Sequence, residues 1–224
     1  MTVEYRVLRT ADELAELPPF EHRIWGVGDE AVSVNMLVAT ICEGGVAIGA
    51  YDGDMLVATA YGFATNEPGV LHSHYIAVHP DYRGQGLGEQ IKYEQRVWCL
   101  DNGYTSMRWT FDPLQLTNAH LNLNKLQALG VTYHVNHYGA MGGINGGLPS
   151  DRLTVQWYLV GDRPPFRESF VLEVPPVTPE EIEAGTVEAL GARLAIREQM
   201  APHMADGFVV TAVDRHARTY TLSR

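Results

Sequence analysis

The feature that most constrains this chain is a glycine-rich turn set between two patterned stretches, His79-Pro-Asp-Tyr-Arg-Gly-Gln-Gly-Leu-Gly88. An alternating apolar run, Val70 to Val78, leads into it, and an amphipathic run, Glu89 to Leu100, follows. The first pattern reads as a strand and the second as a helix. Three glycines in five residues let a backbone approach a ligand closely and take dihedrals closed to other residues. The first N–H groups of the helix have no partners within it, and together with the helix dipole they favour an anion, typically a phosphate. A simple turn has the same composition, so the spacing around the glycines must decide.

Two familiar phosphate loops fit poorly. A P-loop requires Lys-Ser or Lys-Thr after its last glycine, where this chain has Glu89-Gln90. A dinucleotide fingerprint requires G-x-G-x-x-G, which Gly84-Gln-Gly-Leu-Gly88 does not supply. The R-x-x-G-x-G spacing of Arg83, Gly86 and Gly88 instead resembles the acyl-CoA pyrophosphate motif of the GNAT N-acetyltransferase superfamily, as does the lead-in Ile76-Ala-Val-His-Pro-Asp-Tyr-Arg83.

In chain order, Val3 to Leu8 reads as a strand. Thr10-Ala-Asp-Glu13 has capping-box form and opens a helix through Leu14 and Leu17 that Pro18-Pro19 should stop. Phe20 to Trp25 is ambiguous, and Ser33 to Cys42 is a helix ended by Gly44-Gly45. Val46 to Tyr51 and Met55 to Phe63 are strands joined at Asp52-Gly53, and Asn66 to Gly69 makes the next turn. The helix after the glycine loop stops at Asn102-Gly103. Thr105 to Phe111 should lie parallel to the strand entering the loop, because a helix connects them. Asp112-Pro113 breaks that strand, and Leu116 to Leu129 reads as a helix closed by Gly130. Val131 to Tyr138 and Leu153 to Val160 are strands around the loop Gly139 to Gly147. Beyond Gly161, Pro164-Pro165 and Pro175-Pro176 bracket an extended segment, Phe170 to Leu172. Thr178-Pro-Glu-Glu181 should cap a helix to about Met200, with Ile182, Val187, Leu190 and Leu194 as its apolar stripe. Phe208 to Val213 and Thr219 to Leu222 form a final hairpin.

This order of elements resembles the GNAT fold over residues 3 to 160. The resemblance implies an α/β (α+β) architecture: a mixed, mostly antiparallel sheet with a splayed parallel central strand pair and helices on both faces. It divides the chain into an acyltransferase domain, 1–160, and a C-terminal extension, 161–224. The extension is too small for a core of its own and is expected to pack on the core or on a second subunit, with a homodimer as the expected state. The resemblance further implies that the pantetheine arm of acetyl-CoA, or another acyl-CoA, lies in the gap between the splayed strands. The backbone of Ile76 and Val78 would hydrogen-bond that arm. Arg83 and the segment Gly84, Gln85, Gly86, Leu87, Gly88 and Glu89 would hold the pyrophosphate, and Asn118 belongs to the same co-substrate set.

Acyl transfer from a thioester to an amine needs a proton acceptor for the ammonium and donors for the tetrahedral oxyanion, and a leaving thiolate can use an acid. In Leu71-His72-Ser73-His74-Tyr75, period two puts His72 and His74 on one face, with Ser73 and Tyr75 on the other. His72 lies eleven residues before Arg83, where some family members carry a catalytic glutamate. A mostly neutral imidazole there can accept a proton, with His74 lining the acceptor site; alternatively both histidines are simply hydrogen-bonded on a half-buried face. Many family members carry a tyrosine acid in a motif that Asn118 to Val131 matches, but the possible registers put Asn124, Lys125 or Leu126 at that position. Tyr133 or Tyr138 could supply the proton from the next strand, or pack only. Arg152 could clamp a carboxylate by a bidentate fork, or pair with Asp151 at the surface of a hairpin. The stretches Trp109 to Gln115, Asn122 to Leu126 and Gly147 to Arg152 resemble a subgroup of GNAT-like proteins, some members of which use succinyl-CoA on amino acids.

With 224 residues, 46% hydrophobic and 19% charged, the chain can bury a sizeable core. A net charge of −11 without a basic cluster argues against nucleic acid or anionic membrane as partner. Its two cysteines, Cys42 and Cys99, lack metal-like spacing; reduced, buried thiols in a cytoplasmic protein are expected, with no metal. The whole reads as an acyl-CoA-dependent N-acyltransferase that acetylates, or succinylates, a small amine or amino acid. A non-catalytic acyl-CoA sensor on the same fold and a protein acetyltransferase are the alternatives.

Overall fold

The computed structural model describes residues 3–26, 31–139 and 146–224, and the chain divides into two compact units, Met1–Trp109 and Thr110–Arg224. In the first, β1 (Val3–Leu8), β2 (Val46–Asp52), β3 (Met55–Ala64), β4 (Val70–Val78) and β5 (Ser106–Phe111, whose last residues belong to the second unit) lie in sheet order β1-β2-β3-β4-β5. Neighbours are antiparallel except β4 and β5, which are parallel as expected of strands joined by a helix.

Helices cover both faces. α1 (Ala11–Leu14) opens with the expected capping box: Thr10 Oγ1 accepts from the Glu13 N–H, and the Glu13 carboxylate accepts from the Thr10 N–H. It lasts one turn, and Pro18-Pro19 do not stop it. They stand in the first turn of α2 (Leu17–Trp25), where a missing N–H leaves no bond unmade, so the ambiguous Phe20–Trp25 stretch is helix. α3 (Val34–Cys42) is capped by Ser33. Leu14, Leu17, Phe20 and Leu37 from these helices bury against Leu8, Ala47, Tyr51 and Tyr61 of the sheet. On the opposite face lies α4 (Leu87–Asp101), whose Leu87, Ile91 and Cys99 are buried. Cys99 meets the expectation of a buried thiol, whereas Cys42, in the last turn of α3, is exposed.

The second unit carries β6 (Leu129–His134), β7 (Arg152–Tyr158), β8 (Ser169–Glu173), β9 (Val209–Asp214) and β10 (Thr219–Ser223), ordered β7-β6-β9-β10-β8 with antiparallel neighbours. The residues after Gly161 thus supply three strands beside β6. The single helix expected over Leu116–Leu129 is instead one α-helical turn, α5 (Leu116–Ala119), widening into a π-helix over His120–Lys125. The widening lets Asn124 act as a strand neighbour: its side chain donates to Val213 C=O and accepts from Val213 N–H, both at 3.0 Å. Gly130 lies inside β6 rather than closing a helix, because a Cβ there would stand 2.8 Å from Val210 Cβ. The helix expected to about Met200 breaks at Gly185 (φ +63°) into α6 (Pro179–Glu183) and α7 (Val187–Ala205). Its predicted stripe is also rotated. Ala189, Ala192, Arg193, Ile196 and Met200 are buried, while Val187 is 81% exposed and Leu194 faces outward.

Candidate acyl-CoA and acceptor site

The glycine loop is built as its sequence demands. A 3₁₀ turn, Pro80–Tyr82, follows β4, with the His79 Nδ1 accepting from the Asp81 N–H. Gly84 (φ +75°) and Gly86 (φ +84°) then take left-handed conformations, and Gly86 stands at the N-cap of α4. No side chain caps that helix end. No atom lies within 4 Å of where a Cβ at Gly84 or Gly86 would stand, so the space over the loop is open to a ligand. The residues present therefore fit a pyrophosphate. Arg83 is exposed and its Nε donates to Val78 C=O (3.3 Å); Gln85 donates to Asp81 C=O (3.0 Å). Leu87 turns inward as the first buried side chain of α4, Gly88 follows it in the first turn, and the Glu89 N–H donates to Gly86 C=O (3.1 Å).

β4 and β5 pair over only three rungs, Val70–Ser106, Leu71–Met107 and His72–Arg108. Ile76 and Val78 lie beyond the last rung and have register partners only on β3, Ala60 and Ala58. Between Ser73 and Tyr75 the register with β3 shifts: Gly62 faces Ser73 and Tyr61 faces Tyr75, leaving His74 as the extra residue of a bulge. The bulge corrects the strict period-two expectation. His72 and His74 do share a face, but Tyr75 joins them, while Ser73 points to the opposite side toward α4.

That shared face is aromatic. His72 lies 4.8 Å, ring centre to ring centre, from Phe63, and His74 lies 5.7 Å from both Phe63 and Tyr61. His72 is half-buried; His74 opens to solvent on one side, and crowding on the rest of its ring lowers its pKa. Tyr75 stacks edge-on against Trp25 (5.3 Å) and donates to Glu21 Oε1 (2.9 Å). Burial, reinforced by that carboxylate, pushes the Tyr75 hydroxyl above the usual tyrosine range. Glu21, 4% exposed, also accepts from the Val32 N–H (3.3 Å). Sequence reasoning missed Glu21, since one acid amid Phe20, Ile24 and Trp25 in an ambiguous stretch carries no spacing signal.

The remaining candidates stand in the second unit. Tyr133 donates to Asp151 Oδ2 (2.7 Å), and burial together with that carboxylate raises its pKa, so it is held in a structural bond. Tyr138 is 51% exposed and shares a hydrogen bond with Thr110 (3.1 Å). Arg152 does not lie at the surface of a hairpin. It is 7% exposed, donates to the Asp151 backbone C=O (2.9 Å), and its guanidinium lies 5.6 Å from the Tyr138 ring. Asp151 instead takes a fork from Arg197 of α7, both bonds at 2.8 Å. Burial raises the Asp151 pKa, but Arg197, the Asn136 N–H and Tyr133 outweigh it and hold the carboxyl below its usual range. His134 and His137 stack 4.5 Å apart beside Tyr138, a cluster that sequence reasoning did not single out. Asn118 is exposed on α5. Of the five glycines expected to let the Gly139–Gly147 loop close over a substrate, Gly142 and Gly143 lie outside the described residues, whereas Gly139, Gly146 and Gly147 take left-handed conformations (φ +74°, +60° and +69°). Among the described residues no group of three or more His, Cys, Asp or Glu could hold a metal, and no helix is long and apolar enough to cross a membrane.

Comparison with known proteins agrees with this geometry. No curated protein matches the chain in sequence. The ribosomal-protein-S18-alanine N-acetyltransferase from Escherichia coli is similar in structure, with a TM-score of 0.58 at 17% identity, covering 74% of this chain and 100% of that one. The Salmonella typhimurium protein yncA, solved with its cofactor acetyl-CoA, gives 0.57 at 15% identity over 74% of this chain and 98% of its own. A GNAT-family acetyltransferase from Streptococcus pneumoniae gives 0.57 at 12% identity over 69% and 98%. At these identities the likeness is one of fold. Residues 12–121 match the model of the Acetyltransferase (GNAT) family, a span that includes the glycine loop, the bulged strand and the histidine face. The chain therefore carries an acetyltransferase domain of the GNAT family.

Proposed function

We propose that the protein moves an acetyl or succinyl group from CoA to the amine of a small molecule, an amino acid being the favoured acceptor. The observation that carries this reading is the construction of β4. Its edge loses β5 after three rungs, it bulges at His74, and it runs into an open glycine loop at an uncapped helix end. One strand thus offers unpaired edge for a pantetheine arm, backbone amides for its pyrophosphate, and imidazoles beside the reacting carbon. When acyl-CoA is bound it supplies the thioester. His72 takes the proton from the acceptor ammonium, and His74 lines the approach among Tyr61, Phe63 and Tyr75. Tyr138, the exposed tyrosine, is the proton donor this reading prefers to Tyr133, whose hydroxyl is engaged by Asp151.

Arg152 supports a carboxylate-bearing partner. Its guanidinium is buried, donates to the Asp151 backbone C=O and lies 5.6 Å from the ring of the exposed Tyr138, which puts a fork-shaped cation beside the tyrosine this reading uses. Losing a bidentate charge pair in a partly desolvated site costs about 2–5 kcal/mol. The test is a screen of acetyl- and succinyl-CoA against amino acids and carboxylate-free amines, following released thiol, in the parent, Arg152→Ala and Arg152→Lys. If Arg152 holds the succinyl carboxylate, Arg152→Ala penalises the succinyl donor alone. If it holds the amino acid's carboxylate, both donors suffer alike and a simple amine does not. Arg152→Lys restores little, because an ammonium cannot reproduce the fork. Equal, small losses across all pairs remove carboxylate recognition from the proposal. Tight CoA binding without thiol release from any pair replaces the transferase reading with the sensor.

A further inference from the structure

Lys92 stands on α4 with 2% of its surface exposed, and the reaction just proposed does not use it. Its ammonium donates to Ser73 Oγ at 2.6 Å and lies 3.7 Å from the centre of the Trp109 ring. The place is specific. His72 and Arg108 form the last rung between β4 and β5, so Ser73 and Trp109 are the first residues on each strand after pairing ends. The ammonium therefore sits at the point where the two strands part. Ser73 Oγ in turn donates a hydrogen bond to Gln95 Oε1 (2.7 Å), and Gly62, opposite Ser73 on β3, leaves room for the Gln95 side chain. Gln95 is fully buried, and its Nε2 finds no acceptor among the described residues.

This cluster is rich in donors and poor in negative charge. Of the groups that face Lys92, Ser73 comes from β4, Trp109 from β5, and Gln95 and Cys99 from α4; the thiol is the titratable one. Burial pushes the Cys99 thiol up to about 12, so it stays neutral, and burial brings Lys92 down to about 7. A lone ammonium is expensive to bury, and where a charge only fills space an apolar side chain of similar volume commonly does as well or better.

We propose that Lys92 is a positioning residue for acyl transfer, fixing Ser73 beside the His74 bulge and placing a positive charge where β4 and β5 part. The inference rests on the acyl-transfer reading above. As the acceptor nitrogen bonds to the acyl carbon, the carbonyl π pair moves onto oxygen. One ammonium proton passes to His72 before attack; the pair returns when the C–S bond breaks and the sulfur leaves with its electron pair, the second proton of the new C–N centre going to the departing thiolate to give the neutral amide and the free thiol. A fixed positive charge near that oxygen favours the intermediate over the thioester.

The experiment measures kcat and KM between about pH 6 and 9 for the parent, Lys92→Met and Ser73→Ala, together with unfolding temperatures and the Lys92 side-chain ¹⁵N titration. Direct oxyanion donors contribute about 10²–10³-fold. Acting through Ser73, Lys92 should give at least about a tenfold fall in kcat on Lys92→Met at the acid end, with KM for acyl-CoA little changed and the unfolding temperature not lowered. The gap should narrow as pH rises and the parent lysine loses its proton. Ser73→Ala keeps the charge but cuts the link, so it should lower kcat while leaving the pH dependence in place; it also serves if Lys92→Met does not fold. An active parent whose Lys92→Met profile superimposes on its own overturns the proposal alone; a Lys92 that titrates near the ordinary value of about 10.4 keeps its charge throughout, so the gap between parent and variant should then stay constant with pH. A parent that binds CoA but acylates no amine overturns the transferase reading, and this inference with it.

Discussion

His72 and His74 share one aromatic face but differ in surroundings, His72 half-buried against Phe63 and His74 partly open to solvent. Removing the base in a rate-limiting proton transfer lowers turnover by about 10²–10⁴-fold. His72→Ala should fall in that range with CoA affinity nearly unchanged, as read by steady-state kinetics beside calorimetry; turnover within about threefold of the parent would return His72 to packing. Lys92 makes a separate prediction about stability. The unfolded lysine keeps its proton to about pH 10.4, whereas the folded one releases it near 7. Between those values the unfolded chain binds more protons, so folding stability rises with pH. Above about 9 Cys99 opposes this, because its folded pKa near 12 withholds an ionisation available to the unfolded chain. Denaturant titrations from about pH 7 to 9 should show the parent gaining stability relative to Lys92→Met, and parallel curves would contradict the depressed pKa. The two histidines were legible in the sequence because period two is a backbone property. Glu21 and the inward turn of Lys92 were not, since a charged residue in an apolar setting reveals its partners only once the elements pack.

At the scale of elements, legibility followed the same divide. The strand, loop and helix from Val70 to Asp101 obey local rules, alternation before and amphipathicity after, and were read nearly to the residue. Pro18-Pro19 misled because proline ends one helix and starts the next with equal ease. The bulge at His74 left no mark, being set by the register of β3 against β4. The stripe of α7 was misread for an energetic reason. Arg193 turns inward and forks onto Asp112, Nη1–Oδ1 at 2.5 Å and Nη2–Oδ2 at 2.6 Å, both residues buried. A hydropathy pattern cannot anticipate a buried arginine. Arg193→Met should strip the buried Asp112 carboxylate of its fork, and breaking such a pair costs about 3–5 kcal/mol. Adding Asp112→Leu should recover much of that loss. A double mutant as unstable as the sum of the two single ones, by denaturant unfolding, would mean the two side chains do not act as a pair.

For the molecule as a whole, composition set limits and the sequence motifs narrowed them. A net charge of −11 without a basic cluster argues against polyanions as partners. The spacing of Arg83, Gly86 and Gly88 pointed to acyl-CoA, and the family match over residues 12–121 agrees. What remained hidden was how the last third of the chain folds. Its strands add to β6, and Arg193 and Arg197 of α7 hold Asp112 and Asp151 at the ends of two strands. The central claim is that the loop at the start of α4 receives the pyrophosphate of CoA. Gly86 sits at φ +84° with open space where a Cβ would stand, so a side chain there strains the turn and fills the volume a phosphate needs. The most direct test is calorimetric titration of CoA into the parent and into Gly86→Val, with circular dichroism confirming that both are folded. The account predicts binding by the parent and an affinity at least about tenfold lower in the variant, about 1.4 kcal/mol. Equal affinities in two folded proteins, or no binding by the parent, would contradict it.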